Sequence, residues 1–252
     1  MTATTDIVTF LDELLEPSTW DDYGPNGLQV PGAAETWRVA TGVSAQLELF
    51  RRAAEAGADL LLTHHGLFWD FHPRALSPQM KARLEALFGA GIALAAYHLP
   101  LDAHPEVGNN ALICQALGFE RAEPFGKARD RSVGFVGRSA EGIGAAELVA
   151  RCGKVFGQEP LVFDAGPEVV HSIGVVSGAG ASSVSEAAAA GLDAFLTGEP
   201  AEHVMADARE AGVHFIAAGH YATETLGIRR VGELVAERFG VEHVFIDVPN
   251  PV

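Results

Sequence analysis

The chain has 252 residues, 48% of them hydrophobic, with 28 glycines, enough to bury one large core or two small ones. Only 17 Lys and Arg stand against 33 Asp and Glu, and the formal charge of −16 repels phosphate backbones, so the expectation is no nucleic-acid partner. No apolar stretch nears the roughly 20 residues a membrane helix needs, and no basic-then-apolar leader opens the sequence. Cys114 and Cys152 form no C-x-x-C and suit a reducing compartment, so the expected location is cytoplasmic, with no membrane contact.

In chain order, Thr5 or Asp6 is expected to cap a first helix with apolar positions at Ile7, Phe10, Leu11, Leu14 and Leu15, stopped by Pro17. Residues 20–30, Trp-Asp-Asp-Tyr-Gly-Pro-Asn-Gly-Leu-Gln-Val, form a turn-rich loop feeding a strand. Residues 38–43 predict a strand and 45–56 a helix. Residues 59–63 predict a buried parallel strand, because Leu60, Leu61 and Leu62 carry no helical period. That strand runs into Thr63-His64-His65-Gly66. Neighbouring strand side chains face opposite ways, so the two imidazoles serve one site only if they lie past the regular strand, where Gly66 lets the backbone turn. The alternative is one packed and one solvated histidine. Residues 67–77, with Phe68, Trp69, Phe71, His72 and Pro73, are an aromatic loop, read as a lid, an interface pad or plain packing. A helix over 78–90 leads to an apolar strand, 91–98, ending in His98, and a helix over 109–117 follows.

The second half predicts strands near 133–136, at 160–163, 173–177, 193–197, 213–217 and 242–248. Its helices fall at 144–156, from 183 through 190, at 202–211 and at 225–239. Residues 177–183, Ser-Gly-Ala-Gly-Ala-Ser-Ser, lack the full G-x-G-x-x-G and the Walker Lys, and read as a plain strand-to-helix turn.

The halves echo each other. Residues 53–66 align with 187–200 at a constant offset, since Gly57 to Gly191 and Thr63 to Thr197 both span 134 positions. Residues 91–98 echo 212–220, and in each copy an acid lies four residues beyond the histidine, His98 with Asp102 and His220 with Glu224. The first copy carries extra residues where the aromatic loop sits. Two related repeats, 1–125 and 126–252, that face one cleft would bring His64, His65, His98 and Asp102 opposite His220 and Glu224. Shared Ala/Gly/Leu composition without common ancestry is the alternative.

Imidazole plus carboxylate without thiolate suits Zn, Fe, Mn or Ni, with Mg admissible. His64, His65, Asp102, His220 and Glu224 exceed the three protein ligands usual at a catalytic zinc. They suit two divalent ions about 3.5–4 Å apart, zinc foremost. His98, Glu199 or Tyr221 are then candidates for orienting ligands or for general acid/base work. A metal-free His–Asp arrangement is the alternative, but no Ser or Cys nucleophile sits in an elbow motif.

Together, Thr63-His-His-Gly66, His98-Leu-Pro-Leu-Asp102, Thr197-Gly-Glu199, Gly219-His220-Tyr-Ala-Thr-Glu224 and residues 20–29 resemble the NIF-three-like family, also catalogued as type 2 GTP cyclohydrolase I homologues and dinuclear-metal-centre hexameric proteins. The resemblance covers essentially the whole chain. It implies an α/β fold of two intertwined repeats with mixed, largely parallel sheets, without an inserted middle domain. It also implies a toroidal homohexamer with metal pairs facing a central cavity. The implied metal ligands are His64, His65, Asp102, His220 and Glu224, with His98 close to the metals. The implied activity is a metal-dependent hydrolase acting on a nucleotide or related small molecule, and the alternative is a metal-stabilised binding or regulatory scaffold without turnover. Asp22 stands where the family usually has Asn after Trp-Asp, a departure expected to bear on the loop rather than on the ligands.

Overall fold

The apolar runs that lead into the histidine motifs become parallel strands at the centres of two sheets. The computed structural model describes residues 1–252, in one unit of residues 1–101 and 227–248 and another of 102–226 and 249–252. In chain order the first contains β1 (Thr2–Ala3), α1 (Thr4–Leu15), β2 (Gly27–Val30), β3 (Glu35–Thr36), β4 (Arg38–Ser44), α2 (Leu47–Glu55), β5 (Leu60–His65), α3 (Pro78–Ala90) and β6 (Ala93–Ala96), and α4 (Leu99–Asp102) carries the chain out of it. The second contains α5 (Asn109–Leu117), β7 (Glu120–Ala128), β8 (Arg131–Gly144), α6 (Ala145–Phe156), β9 (Leu161–Phe163), β10 (Val169–Val176), α7 (Val184–Ala189), β11 (Ala194–Thr197), α8 (Val204–Ala211), β12 (His214–Ala217) and α9 (His220–Thr223). The chain returns through α10 (Thr225–Phe239) and ends its regular structure at β13 (Glu242–Phe245).

The first unit's sheet has the order β13-β4-β5-β6-β2, parallel except for the edge strand β2, and β1 pairs with β3 in a separate ribbon. The second unit's sheet has the order β7-β8-β10-β11-β12-β9, with β10, β11 and β12 parallel and the flanking strands antiparallel. The fold is thus α/β with mixed, largely parallel sheets. Leu61, Phe50 and Leu94 anchor one core, and Ile173, Leu196 and Ile216 the other. Strands buried on both faces explain why Leu60–Leu62 show no alternation. No helix is long and apolar enough to cross a membrane.

The internal echo holds at the level of strand register. Val39 pairs with Leu60, and 134 positions on Ile173 pairs with Ala194. Asp59 Oδ2 accepts from the backbone N–H of Trp37 (2.8 Å) and Arg38 (3.0 Å), and at the same offset Asp193 Oδ2 accepts from His171 (2.8 Å) and Ser172 (2.9 Å). The Gly-x-Asp string therefore has a structural role, because its carboxylate satisfies the amides at the start of the neighbouring strand. Asp193→Ala is expected to cost about 1–3 kcal/mol in denaturant titration, because it orphans two amides and the Ser172 hydroxyl that also donates to it (3.0 Å).

Several elements differ from expectation. Helix α1 starts at Thr4 with no side-chain cap. Thr4 is held instead by its hydroxyl, which donates to the Ala33 carbonyl (2.7 Å) and lies 2.8 Å from the Thr36 hydroxyl. The strand near 133–136 is one arm of a long β7–β8 hairpin. It turns at Arg129-Asp130, with Arg129 at φ 54°, and no Gly or Asn marks that turn in the sequence.

Candidate metal centre

The first unit gathers three histidines. His64 and His65 do not lie past the strand: β5 continues through both, because Ser44 of β4 pairs with His65 and the Ala45 amide donates to the His65 carbonyl (2.9 Å). Their rings nevertheless lie 4.8 Å apart between centroids. Gly66 is not in a left-handed conformation. Its smallness serves space, since a Cβ there would run into the Gln29 amide, whose Oε1 accepts from Leu67 N (2.7 Å). His98, just beyond β6, lies 5.1 Å from the His64 ring and 5.6 Å from that of His65. Each of the three offers a ring nitrogen within 4.8 Å of the others.

The chemistry behind two of these rings, His64 and His98, fixes their tautomers. His64 is fully buried, and its Nδ1 lies 3.1 Å from the Tyr97 carbonyl, which can only accept. Nδ1 therefore carries the proton and Nε2 presents its lone pair. His98 Nδ1 lies 2.7 Å from Asp22 Oδ1, the carboxylate–imidazole arrangement that orients a metal-binding histidine. His65 Nδ1 lies 3.0 Å from the Ser44 hydroxyl. Asp22 thus reaches His98 as well as its own loop, and touches none of the expected metal ligands. Its side chain is 3% exposed and accepts also from Tyr23 N (2.7 Å), Asn26 Nδ2 (2.9 Å) and Leu99 N (3.0 Å). Burial opposes its charge, but the hydrogen bond and charge of His98, then Asn26 and Tyr23, hold its pKa below the usual value. The aromatic loop closes on this array: Trp69 lies 5.1 Å from the His98 ring and 5.9 Å from that of His65.

The second unit gathers acids around one imidazole. Asp102, at the end of α4 and 6% exposed, accepts through Oδ1 from Asn109 Nδ2 (2.8 Å) and the Ser177 hydroxyl (2.9 Å). Glu224, 3% exposed, offers an oxygen within 4.8 Å of one of Asp102. His220 stands between two acids, with Nδ1 2.5 Å from Glu199 Oε1 and Nε2 3.2 Å from Glu224 Oε1. Burial works against its charged form, but the hydrogen bonds and charges of Glu224 and then Glu199 outweigh it and raise the pKa to about 9. Tyr221 is buried, with its amide donating to the Val252 carbonyl (3.0 Å).

The turn after β10 is more than a plain connection. Gly178, at φ +61°, leaves room that a Cβ would take from Glu224 Oε1, and its carbonyl accepts from the amides of Gly198 (2.9 Å) and Glu199 (3.0 Å). Asn109, Asn110, Ser177 and Gly178 all escape a reading of the sequence, since small and amide side chains carry no metal signature of their own. The phase of the second motif also shifts. By strand register His98 corresponds to Gly219, not His220, because Ala93 and His214 occupy equivalent ladder positions. The extra residue, Gly219, sits at φ 95° and sets His220 as the first residue of α9.

These donors fit divalent metal. They are imidazole nitrogens with the opposite nitrogen anchored, and buried carboxylates crowded enough to need a cation. Thiolate plays no part, since burial pushes Cys114 and Cys152 up to about 12.

The family model described as Duf34/NIF3 (NGG1p interacting factor 3) matches residues 2–251. A GTP cyclohydrolase 1 type 2 homolog from Pseudomonas aeruginosa is 42% identical over 245 residues, covering 97% of each chain. Among solved structures, the protein ybgI, of unknown function, aligns over the full length of both chains with a TM-score of 0.93 and 38% identity. The protein TTHA1606 from Thermus thermophilus does so with 0.91 and 36%. The chain described here belongs to the Duf34/NIF3 family.

Proposed function

We propose that His64, His65, Asp102, His220 and Glu224 hold a pair of divalent metal ions, zinc foremost. On this reading the protein is a metal-dependent hydrolase of the GTP cyclohydrolase 1 type 2 kind, acting on a nucleotide or related small molecule. The observation that carries it is the buried His64, whose Nδ1 faces the Tyr97 carbonyl and so leaves Nε2 as the ligating atom, together with the buried carboxylates of Asp102 and Glu224, which bring oxygens within 4.8 Å of each other. Bound ions would supply Lewis-acid charge and an activated water. His98, backed by the Asp22 carboxylate, is the group suited to take up or hand on a proton at Nε2, and Glu199 fixes the orientation of His220. The names of the relatives support the substrate class. The proposed assembly is a homohexamer, and light scattering of the purified protein tests it.

Protein purified without added metal should carry divalent ions by elemental analysis. Dialysis against chelator should abolish hydrolysis in a nucleotide screen, and zinc or manganese should restore it. Unchanged turnover in the metal-free protein would overturn the reading. The phrase "interacting factor" in the family's description favours a second reading, a metal-stabilised scaffold. A large chelator-induced loss of melting temperature with no turnover on any substrate would favour it.

A further inference from the structure

We propose that the aromatic loop, with the start of α3, binds the phosphate of a sugar phosphate ester that carries an aromatic base, a purine nucleotide in class, beside the histidine array. The proposal rests on the hydrolase reading and adds to it the place where the substrate's charge is held. The repeat shows that this loop is an addition rather than a requirement of the fold. Leu60 and Ala93 are ladder partners 33 positions apart, whereas the equivalent Ala194 and His214 are 20 apart. The first copy therefore carries 13 residues more, at the carboxyl end of a central parallel strand, where such folds place their ligands.

The added segment does not pack shut. It borders a cavity of about 420 Å³, within the size range of small-molecule sites, lined among others by Trp69, His72, Arg74, Gln79 and Arg83. No Asp or Glu lines it. In a chain of charge −16, Arg38, Arg52, Arg138, Arg151 and Arg230 each pair with a carboxylate. Arg74 and Arg83, like Arg51 and Arg209, pair with none, but these two line the same cavity. Two uncompensated guanidiniums lining one cavity suit a phosphate, which they can grip through paired N–H donors. Trp69 lines the cavity and also abuts His98 and His65, at 5.1 and 5.9 Å between ring centroids. A ligand held by Arg74 and Arg83 thus lies beside an indole that also touches the histidines, and Phe71, exposed and stacked on Trp69 at 5.7 Å, extends the aromatic surface offered to a planar base.

Calorimetric titration of the zinc-loaded protein with guanosine 5′-monophosphate and with guanosine, which differ only in the phosphate, tests this. The wild type should bind the monophosphate about 10-fold or more tighter than guanosine. An Arg74→Ala/Arg83→Ala variant should lose that advantage while its zinc content, melting temperature and guanosine affinity stay at wild-type values. Equal affinity of the wild type for the two probes, or wild-type affinity of the double variant for the monophosphate, overturns the proposal. The outcome is separable from the hydrolase reading: arginine-dependent binding without turnover of any nucleotide sinks only the hydrolase, and turnover with arginine-independent binding sinks only this site.

Discussion

Glu224→Ala is expected to weaken metal binding by on the order of 100-fold or more while leaving the metal-free protein folded, since a lost ligand exceeds the 10–100-fold typical of a lost supporting partner. Glu224 is buried, 3.2 Å from His220 Nε2, with a carboxylate oxygen of Asp102 within 4.8 Å. In the metal-free protein Glu224 pairs with the His220 imidazole, so the substitution also costs the apoprotein that ion pair. With metal the same substitution removes a ligand. The zinc-induced shift, measured against each protein's own metal-free melt, separates a ligand from a residue that merely packs. Zinc at 100 times the wild-type dissociation constant should stabilise the wild type by about 2.7 kcal/mol, and a variant 100-fold weaker by only about 0.4 kcal/mol. Thermal melts with and without zinc measure this difference. An equal zinc-induced shift in both proteins would remove Glu224 from the ligand set.

Asp22→Asn should have the second largest effect, although the change is a single atom in size. Both carboxylate oxygens are committed as acceptors: Oδ1 from Tyr23 N and His98 Nδ1, and Oδ2 from Asn26 Nδ2 and Leu99 N. Asn26 cannot turn to compensate, because its own Oδ1 accepts from His98 N (2.7 Å). An amide at position 22 sets NH2 against two donors, at a cost of about 1–3 kcal/mol. It also takes the charged partner from His98, which should lower the rate of hydrolysis while zinc content stays at the wild-type value. The Asp22 pKa is held below the usual carboxylate value, so the stability gap between wild type and variant should be complete above pH 4 or so and close as acid protonates the native carboxylate. Urea titrations across pH measure it. A gap that widened on acidification would contradict the assignment.

Much of this architecture is legible from residue pattern, and the failures have physical reasons. The run Leu60–Leu62 and the matched Gly57/Gly191 and Thr63/Thr197 reveal a buried parallel strand inside each of two sheets, because a strand buried on both faces tolerates only apolar side chains. The β7–β8 hairpin is hidden, since Arg129 adopts a left-handed turn that its side chain does not advertise. The His98/Asp102 and His220/Glu224 echo is visible, but the one-residue shift at Gly219 emerges only when the strands are paired. Strand alternation alone would part His64 from His65 and so pushes both beyond the strand, yet their rings meet at the end of β5. The part played by Asp22 is hidden for a different reason. Its partner, His98, lies 76 positions away, and no local pattern links a turn-rich loop to the end of a distant strand.

The proposed metal pair takes its ligands from His64, His65, Asp102, His220 and Glu224. Anomalous diffraction at the zinc edge from metal-loaded crystals tests this most directly. The expected map holds two peaks about 3.5–4 Å apart, with all five of these residues as ligands. Peaks held by only some of these residues, or no peak at all, would contradict it.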